Sequence, residues 1–387
     1  MDAREYDLLV FGATGFTGGL TAEYLARNAP ASLRWAIGGR SATKLAAVKA
    51  RLCAINPACA AVGCVEASVD DLESLQRMAA KTRVLVTTVG PFIDYGEPVV
   101  RACIEQRTDY IDSTGEPNFI QLLLGRYAQA AAQRQVRLVP SCGFDAIPAD
   151  LGALFTVRQL PNDQPIKLAG YMSLKAQFSG GTERSAIKSW MPPSERIAAP
   201  SLSATSGRQV GALPSKVERR PELGKWSSPL PTVDGPLVLR SAANLSCYGP
   251  DIRYSHNALH PSFGVLLAAG VVFGIAGFLA RFRPMRELML KLVKKSGEGP
   301  SQATMAESWF KLQFIAECAG KILQTEVSGG DPGYAETSKM LAESGMCLAQ
   351  DREALPDLAG VLTPAQAMGE TLLARLQRAG LSFRVVT

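Results

Sequence analysis

From residue 6 to residue 142, short apolar runs alternate with amphipathic stretches, the pattern of successive βαβ units feeding a parallel sheet. The apolar runs fall at 6–11, 33–37, 62–66, 83–89, 108–111 and 137–140. Between them, 15–27, 41–53, 70–80, 96–106 and 118–134 carry apolar residues near helical spacing. The pattern predicts six strands and five helices. Ser41 and Asp70 stand where a helix N-cap accepts backbone N–H groups that the first turn leaves unpaired. Beyond about residue 150 the periodicity breaks into shorter runs punctuated by Pro and Gly, most densely over 192–236, where an ordered covering loop is expected. Thr363-Pro364 reads as an N-cap followed by proline at the first helical position, and predicts a helix to Arg378.

Directly after the first strand comes Gly12-Ala13-Thr14-Gly15-Phe16-Thr17-Gly18, leading into a helix. Glycines suit that position because the chain must turn tightly, bring its backbone to a pyrophosphate, and pack helix against strand with the anion at the helix N-terminus. Gly12, Thr14, Gly15, Phe16, Thr17 and Gly18 are therefore expected to bind a dinucleotide. The second strand ends in Gly38-Gly39-Arg40-Ser41, roughly twenty residues past the loop, where an NAD site usually places an acid on the ribose 2′-hydroxyl. No acid stands there. Arg40, with Ser41 and Lys44, offers charge-assisted hydrogen bonds to a 2′-phosphate instead, so NADP(H) is expected in preference to NAD(H). The fold class is α/β. A Rossmann doubly wound parallel sheet is expected over 1–150, followed by a substrate and oligomerisation domain over 151–387, with the helix at 364–378 packing back on the first domain.

Composition narrows the class without changing it. The 387 residues suffice for two to three domains of roughly 150 residues. A hydrophobic share of 47% and a charged share of 20% exclude a disordered chain. Forty-one Lys and Arg against 35 Asp and Glu give +6, too small an excess for a chain of this size to imply nucleic acid. The eight cysteines form no CxxC pair, and His256 and His260 are the only histidines, so no metal site is expected. The first residues contain no basic region and cleavage site of an export signal, and the expected compartment is the reducing cytoplasm.

The glycine loop and Gly38-Gly39-Arg40 are accompanied by Thr88-Val89-Gly90-Pro91-Phe92, Tyr95-Gly96-Glu97-Pro98, Tyr110-Ile111-Asp112 with Thr114-Gly115-Glu116, and Cys142-Gly143-Phe144-Asp145. Later come Gly180-Gly181-Thr182, Tyr248-Gly249-Pro250-Asp251, Gly297-Glu298-Gly299-Pro300-Ser301 and Gly329-Gly330-Asp331-Pro332-Gly333-Tyr334. Together these segments resemble the saccharopine dehydrogenase-like oxidoreductases, in particular the branch of bacterial trans-acting enoyl reductases, over nearly the whole chain. The resemblance implies a second domain of mixed α/β structure and a homodimer. It does not imply one substrate, since relatives act on amino-acid imines or on lipid and polyketide enoyl groups.

The loops after the later strands should gather at the carboxyl edge of the sheet, where the nicotinamide lies. Thr88, Val89, Gly90, Pro91, Phe92, Cys142 and Gly143 are accordingly expected beside the cofactor. The catalytic candidates are Tyr95, to donate a proton or hold a carbonyl, Cys142, to donate a proton, and Asp112 and Asp145, with Glu116, as groups that tune their neighbours or bind substrate. Simpler roles stand beside these: turns or caps for Asp112 and Asp145, a small buried hydrophobe for Cys142, packing for Tyr95.

One segment departs from ordinary globular composition. Residues 263–280 are 18 positions without a charge or strongly polar side chain, and as a helix would run roughly 27 Å, near the thickness of a bilayer's hydrocarbon core. Arg281, Arg283, Arg286, Lys291, Lys294 and Lys295 follow, against the single acid Glu287. The resemblance implies that both sides of the segment build one domain, which a simple crossing would split between two compartments. Three readings are left: an element dipping into one leaflet through 263–295, a dimer interface through Gly270 and Gly274, or a core helix. The first associates a cytoplasmic protein with the inner face of the membrane.

The function expected from sequence is an NADP(H)-dependent oxidoreductase reducing an enoyl double bond in a lipid-like or carrier-bound acyl substrate. The alternatives are saccharopine-type chemistry at a C–N bond, for which Arg184, Lys188 and Arg253 are the available cations, and a non-catalytic membrane-associated nucleotide-binding protein.

Overall fold

The computed structural model describes residues 4–177, 207–292 and 300–386, together with Ile187. Six strands follow the apolar runs: β1 (Tyr6–Phe11), β2 (Trp35–Gly39), β3 (Gly63–Glu66), β4 (Thr82–Thr87), β5 (Asp109–Asp112) and β6 (Arg137–Val139). With β14 (Gly360–Val361) they form a seven-stranded sheet in the order β14-β6-β5-β4-β1-β2-β3, all pairs parallel. The chain winds outward from β1 in both directions. The crevice over the carboxyl ends of β1 and β4 is therefore the point where the winding reverses, the place such sheets bind ligands.

Apart from the edge strand β3, the strands are buried on both faces, as parallel strands must be when helices cover each side. Leu9 and Leu85 pack with Val99 and Cys103 on one face, whereas Leu8, Val10, Val84 and Val86 pack with Ala342 and Met346 on the other. The first face is covered by α3 (Leu72–Ala80) and α4 (Phe92–Gln106), the second by α1 (Phe16–Asn28) and by the helix Ala335–Gln350. That last helix lies so close that a Cβ on Gly345 would sit 2.8 Å from Leu8 Cδ1. The first unit is thus completed by residues 335–361, which come after most of the second.

Local expectations differ from the structure in a few places. The helix α2 (Ala42–Ile55) is capped by Ser41 as expected, but the cap of α3 is Asp71, whose carboxylate accepts the Ser74 N–H, and not Asp70. The helix expected from residue 96 begins at Phe92, because Glu116 accepts the N–H groups of Phe92 and Ile93, both at 2.9 Å. The run expected over 118–134 is α5 (Pro117–Leu122), a π turn at Leu123–Tyr127 and α6 (Ala128–Gln133). Thr363 forms the expected cap in a full capping box with Gln366, yet its helix stops at Ala367 and a second runs Gly369–Arg378, since Met368 leaves helical geometry at φ −133°.

The second sheet is mixed. It contains β7 (Ile166–Lys175), β8 (Gln209–Ala212), β9 (Glu218–Arg220), β10 (Lys225–Pro229), β11 (Asp251–His260), β12 (Trp309–Cys318), β13 (Lys321–Gly329) and β15 (Ser382–Val385). Its order is β15-β13-β12-β7-β11-β10-β9, with β8 beside β11. The β7–β11 and β8–β11 pairs are parallel, and the others antiparallel. The buried helix α7 (Ile147–Val157) packs on β12 and β13. Residues 207–236 of the expected covering loop hold β8, β9 and β10; its earlier part, the motifs at 180–182 and 297–299, and Arg184, Lys188, Lys294 and Lys295 lie outside the described residues.

Candidate active site

The glycine loop follows β1 and Thr88 follows β4, so the topology delivers both to the winding-reversal crevice. There they open onto a cleft of about 990 Å³. Gly12 holds φ +91°, and a Cβ on Gly18 would meet the Gly12 carbonyl oxygen at 2.3 Å, so both positions require glycine for the loop to close. Thr88 Oγ1 donates to the Phe11 carbonyl at 3.2 Å and ties the two strand ends together. No side chain caps α1, which leaves its first N–H groups for an anion. Thr14, Gly15, Phe16, Thr17 and Gly18 line the cleft, as do Arg40 and Lys44. Both of those side chains are exposed, and among the described residues neither is within ion-pair distance of a carboxylate. A tight glycine turn, an uncapped helix start and two uncommitted cations fit a dinucleotide carrying a 2′-phosphate. Ser41 contributes the α2 cap, and its Oγ accepts the Lys44 N–H.

The middle of the cleft is lined by Thr88, Gly90, Phe92, Ser113, Gly115, Glu116, Pro117 and Asp145. Of the five catalytic candidates, the structure brings Glu116 and Asp145 to this wall and leaves Tyr95, Asp112 and Cys142 off it; Asp145 is distinguished by its charge state. The residue is exposed on the cleft side, with its carboxyl against Gly115. Desolvation, reinforced by the neighbouring charges of Asp234 and Glu116, pushes it up to about 7. Asp112 is fully buried, and its carboxylate accepts the N–H groups of Thr114 and Ser141 at 2.8 and 2.9 Å and the Tyr110 hydroxyl at 2.7 Å. It holds together the two loops that follow β5 and β6. Cys142 is also fully buried, its thiol donates to the Val139 carbonyl, and desolvation raises its pKa well above the ordinary thiol value. Tyr95 is 40% exposed and stands outside the cleft wall, as do Val89, Pro91 and Gly143.

The opposite wall comes from the second unit: Val217, Ser228, Pro229, Leu230, Pro231, Thr232, Val233, Ala258 and His260. Sequence reasoning missed 228–233 because no local motif marks a loop whose role depends on how two sheets face each other. His260 bonds Ser228 Oγ at 2.9 Å, whereas His256 is buried behind, with Nδ1 at 2.9 Å from the Tyr254 hydroxyl and Nε2 at 3.8 Å from Asp234. Desolvation pushes His256 down to about 4, so it is neutral at physiological pH. Thr232, on the cleft wall, donates to the Asp234 carboxylate. Leu266, Ala269, Gly270 and Phe273 of the helix Phe263–Ala280 complete the wall. Arg253 is bound to Asp251 at 3.0 Å and is not part of this wall, and among the described residues no Lys or Arg lines the half of the cleft away from Arg40 and Lys44.

A family model described as the saccharopine dehydrogenase NADP-binding domain matches residues 8–139. A candidate trans-acting enoyl reductase of Mycobacterium tuberculosis is 37% identical over 98% of this chain and 97% of its own length. Trans-acting enoyl reductases of Mycobacterium bovis and Mycobacterium ulcerans are 34% and 35% identical, each over 98% of this chain and 97% of theirs. Among solved structures, the saccharopine dehydrogenase (L-Glu forming) of Saccharomyces cerevisiae superimposes with a TM-score of 0.56 at 13% identity, covering 98% of this chain and 99% of that one. It shares the fold.

Proposed function

The chain belongs to the trans-acting enoyl reductase family, and from that membership we propose that it is an NADPH-dependent reductase of an enoyl double bond in an acyl substrate. The observation that carries this reading is the cleft itself. It runs from the glycine loop, Arg40 and Lys44, past Asp145, to an apolar wall built by Leu230, Val233, Ala258, Leu266 and Phe273. An amino diacid would need cations converging on its carboxylates. The described residues of the substrate half offer none, so the C–N alternative draws no support there.

Bound NADPH supplies a hydride for the β-carbon of the enoyl group. The protein's own work is to hold the acyl group, exclude water and deliver a proton to the α-carbon. Asp145 suits that last task because a carboxyl titrating near 7 is substantially protonated at neutral pH and lies on the cleft wall. Asp112 acts at one remove by fixing the loop Ser113–Glu116. Turnover should fall as pH rises through about 7 and Asp145 loses its proton. Asp145→Asn, which keeps the shape and removes the acid, should lower kcat roughly 100-fold or more and flatten that limb of the profile, with NADPH affinity unchanged. A variant that keeps both the rate and the alkaline limb would remove Asp145 from the mechanism.

The reading is tested by incubating the protein with NADPH and a panel of 2-enoyl thioesters and imines while following loss of NADPH absorbance. Consumption with enoyl thioesters alone supports it; consumption with imines alone favours C–N chemistry, and tight NADPH binding without turnover favours a non-catalytic protein. The proposal extends to place and assembly: a cytoplasmic protein held on the inner face of a membrane through the helices over 263–292. The homodimer implied by the resemblance enters as a competing use of the Gly270 and Gly274 stripe, which sedimentation with and without vesicles distinguishes.

A further inference from the structure

The helix Phe263–Ala280 is apolar on every side, yet Ala280 alone of its 18 residues is fully buried among the described residues. An all-round apolar helix ordinarily lies inside a core or in lipid. Among the described residues, one stripe meets the rest of the protein, with the Phe263 ring 5.0 Å from that of Trp226 at its start. Leu266, Ala269, Gly270 and Phe273, at i, i+3, i+4 and i+7, line the cleft that also contains the glycine loop and Asp145. The opposite face carries Val271, Ile275 and Phe278 into solvent. The helix is therefore a thin apolar partition beside the reaction cleft, and an open one, since Phe273 on the cleft stripe is itself 65% exposed.

Gly270 opens a gap in that partition. A Cβ built on it meets nothing within 4 Å, so packing does not require glycine there; the missing side chain leaves free space on the cleft side. Leu230, Val233 and Ala258 face this stripe across the cleft. An apolar path thus runs from the outer faces of the helix, over Gly270, to the carboxyl edge of the first sheet. The next helix, Arg283–Leu292, sets Met285, Leu288, Met289 and Leu292 on one face and Arg283, Arg286 and Lys291 on the other, with none of its residues buried. That is the division expected of a helix lying in an anionic lipid surface beside the path.

The geometry points to a lateral acyl portal: the chain of a long-chain lipid substrate passes from the membrane surface over Gly270 and lies along Leu266, Ala269 and Phe273, with its enoyl end beside Asp145. This rests on the enoyl reductase reading and adds the substrate's length and route. The portal selects long acyl chains, because a short one leaves the stripe uncovered.

The test compares 2-hexadecenoyl and crotonyl thioesters, with the full-length protein on phosphatidylglycerol vesicles. The wild type should show the higher kcat/KM for the long thioester. Gly270→Trp, which fills the gap, should lower the long-to-short ratio of kcat/KM at least about tenfold, and Gly270→Ala by less. NADPH affinity reads whether the variants fold. Binding of cis-parinaric acid, a fluorescent long-chain fatty acid, reads the portal without turnover and should weaken in Gly270→Trp. A ratio and a fatty-acid affinity both unmoved by Gly270→Trp overturn the portal. Absence of turnover with either thioester, together with Gly270-dependent fatty-acid binding, retains the portal and overturns the reductase reading.

Discussion

Replacing Arg40 with alanine weakens NADPH binding by roughly 10- to 150-fold and leaves NADH binding nearly unchanged, as calorimetric titration of both cofactors would read it. The range follows from the loss of one charge-assisted hydrogen bond, about 1.5 to 3 kcal/mol. Arg40 stands at the end of β2, exposed, on the wall of the cleft, with no carboxylate partner among the described residues to compete for its guanidinium. Lys44 lines the same end and retains part of the attraction in the variant, so the lower part of the range is expected where the lysine compensates. Arg40→Asp should go further and favour NADH, since a carboxylate there repels the phosphate and accepts the ribose hydroxyl. Tighter binding of NADH than of NADPH by the wild type contradicts the assignment.

The second large effect concerns the exposed helix. Val271, Ile275 and Phe278 are 52%, 56% and 58% exposed on the side away from the cleft. Burying each in lipid is worth about 1.5 to 3 kcal/mol. Replacing all three with Asp removes that gain and adds charge, so partitioning onto vesicles should fall on the order of 1,000-fold or more. The wild type should float with phosphatidylglycerol vesicles more than with neutral ones, because Arg281, Arg283, Arg286 and Lys291 outnumber Glu287 in the segment that follows. The triple variant should stay at the bottom of the gradient with NADPH affinity intact. A wild type that ignores vesicles and stays monodisperse without detergent, paired with a triple variant that loses a dimer, identifies the helix as a subunit interface.

What was legible in the sequence was what neighbours in sequence decide. Six of the seven strands of the first sheet, the glycine loop and the cap at Ser41 all rest on short-range patterns, and Arg40 was found by counting along the chain from the loop. The start of α4 was not legible, because the group that ends its first turn, Glu116, comes from the loop after β5. Nor was the difference among the acidic candidates. Asp112 and Asp145 look alike as sequence, and only their surroundings make one a buried brace for two loops and the other a carboxyl open to the cleft. The second wall, over 228–233, becomes functional by facing the first unit, a relation no local pattern encodes. The apolar segment was visible by composition, but its division into a cleft-lining stripe and an outward face appears only with the fold.

The covering of the first sheet by the helix Ala335–Gln350 also bears on how the protein is made. Leu8, Val84 and Val86 lose that cover in any nascent chain that has not yet reached it, so the parallel sheet is translated early but sealed late. A fragment ending near residue 150 would carry every glycine of the loop and still present an apolar sheet face to water. Such a fragment should aggregate rather than bind NADPH. Cofactor binding is then expected only after the apolar helix over 263–280 has left the ribosome, with two apolar surfaces exposed in the interval.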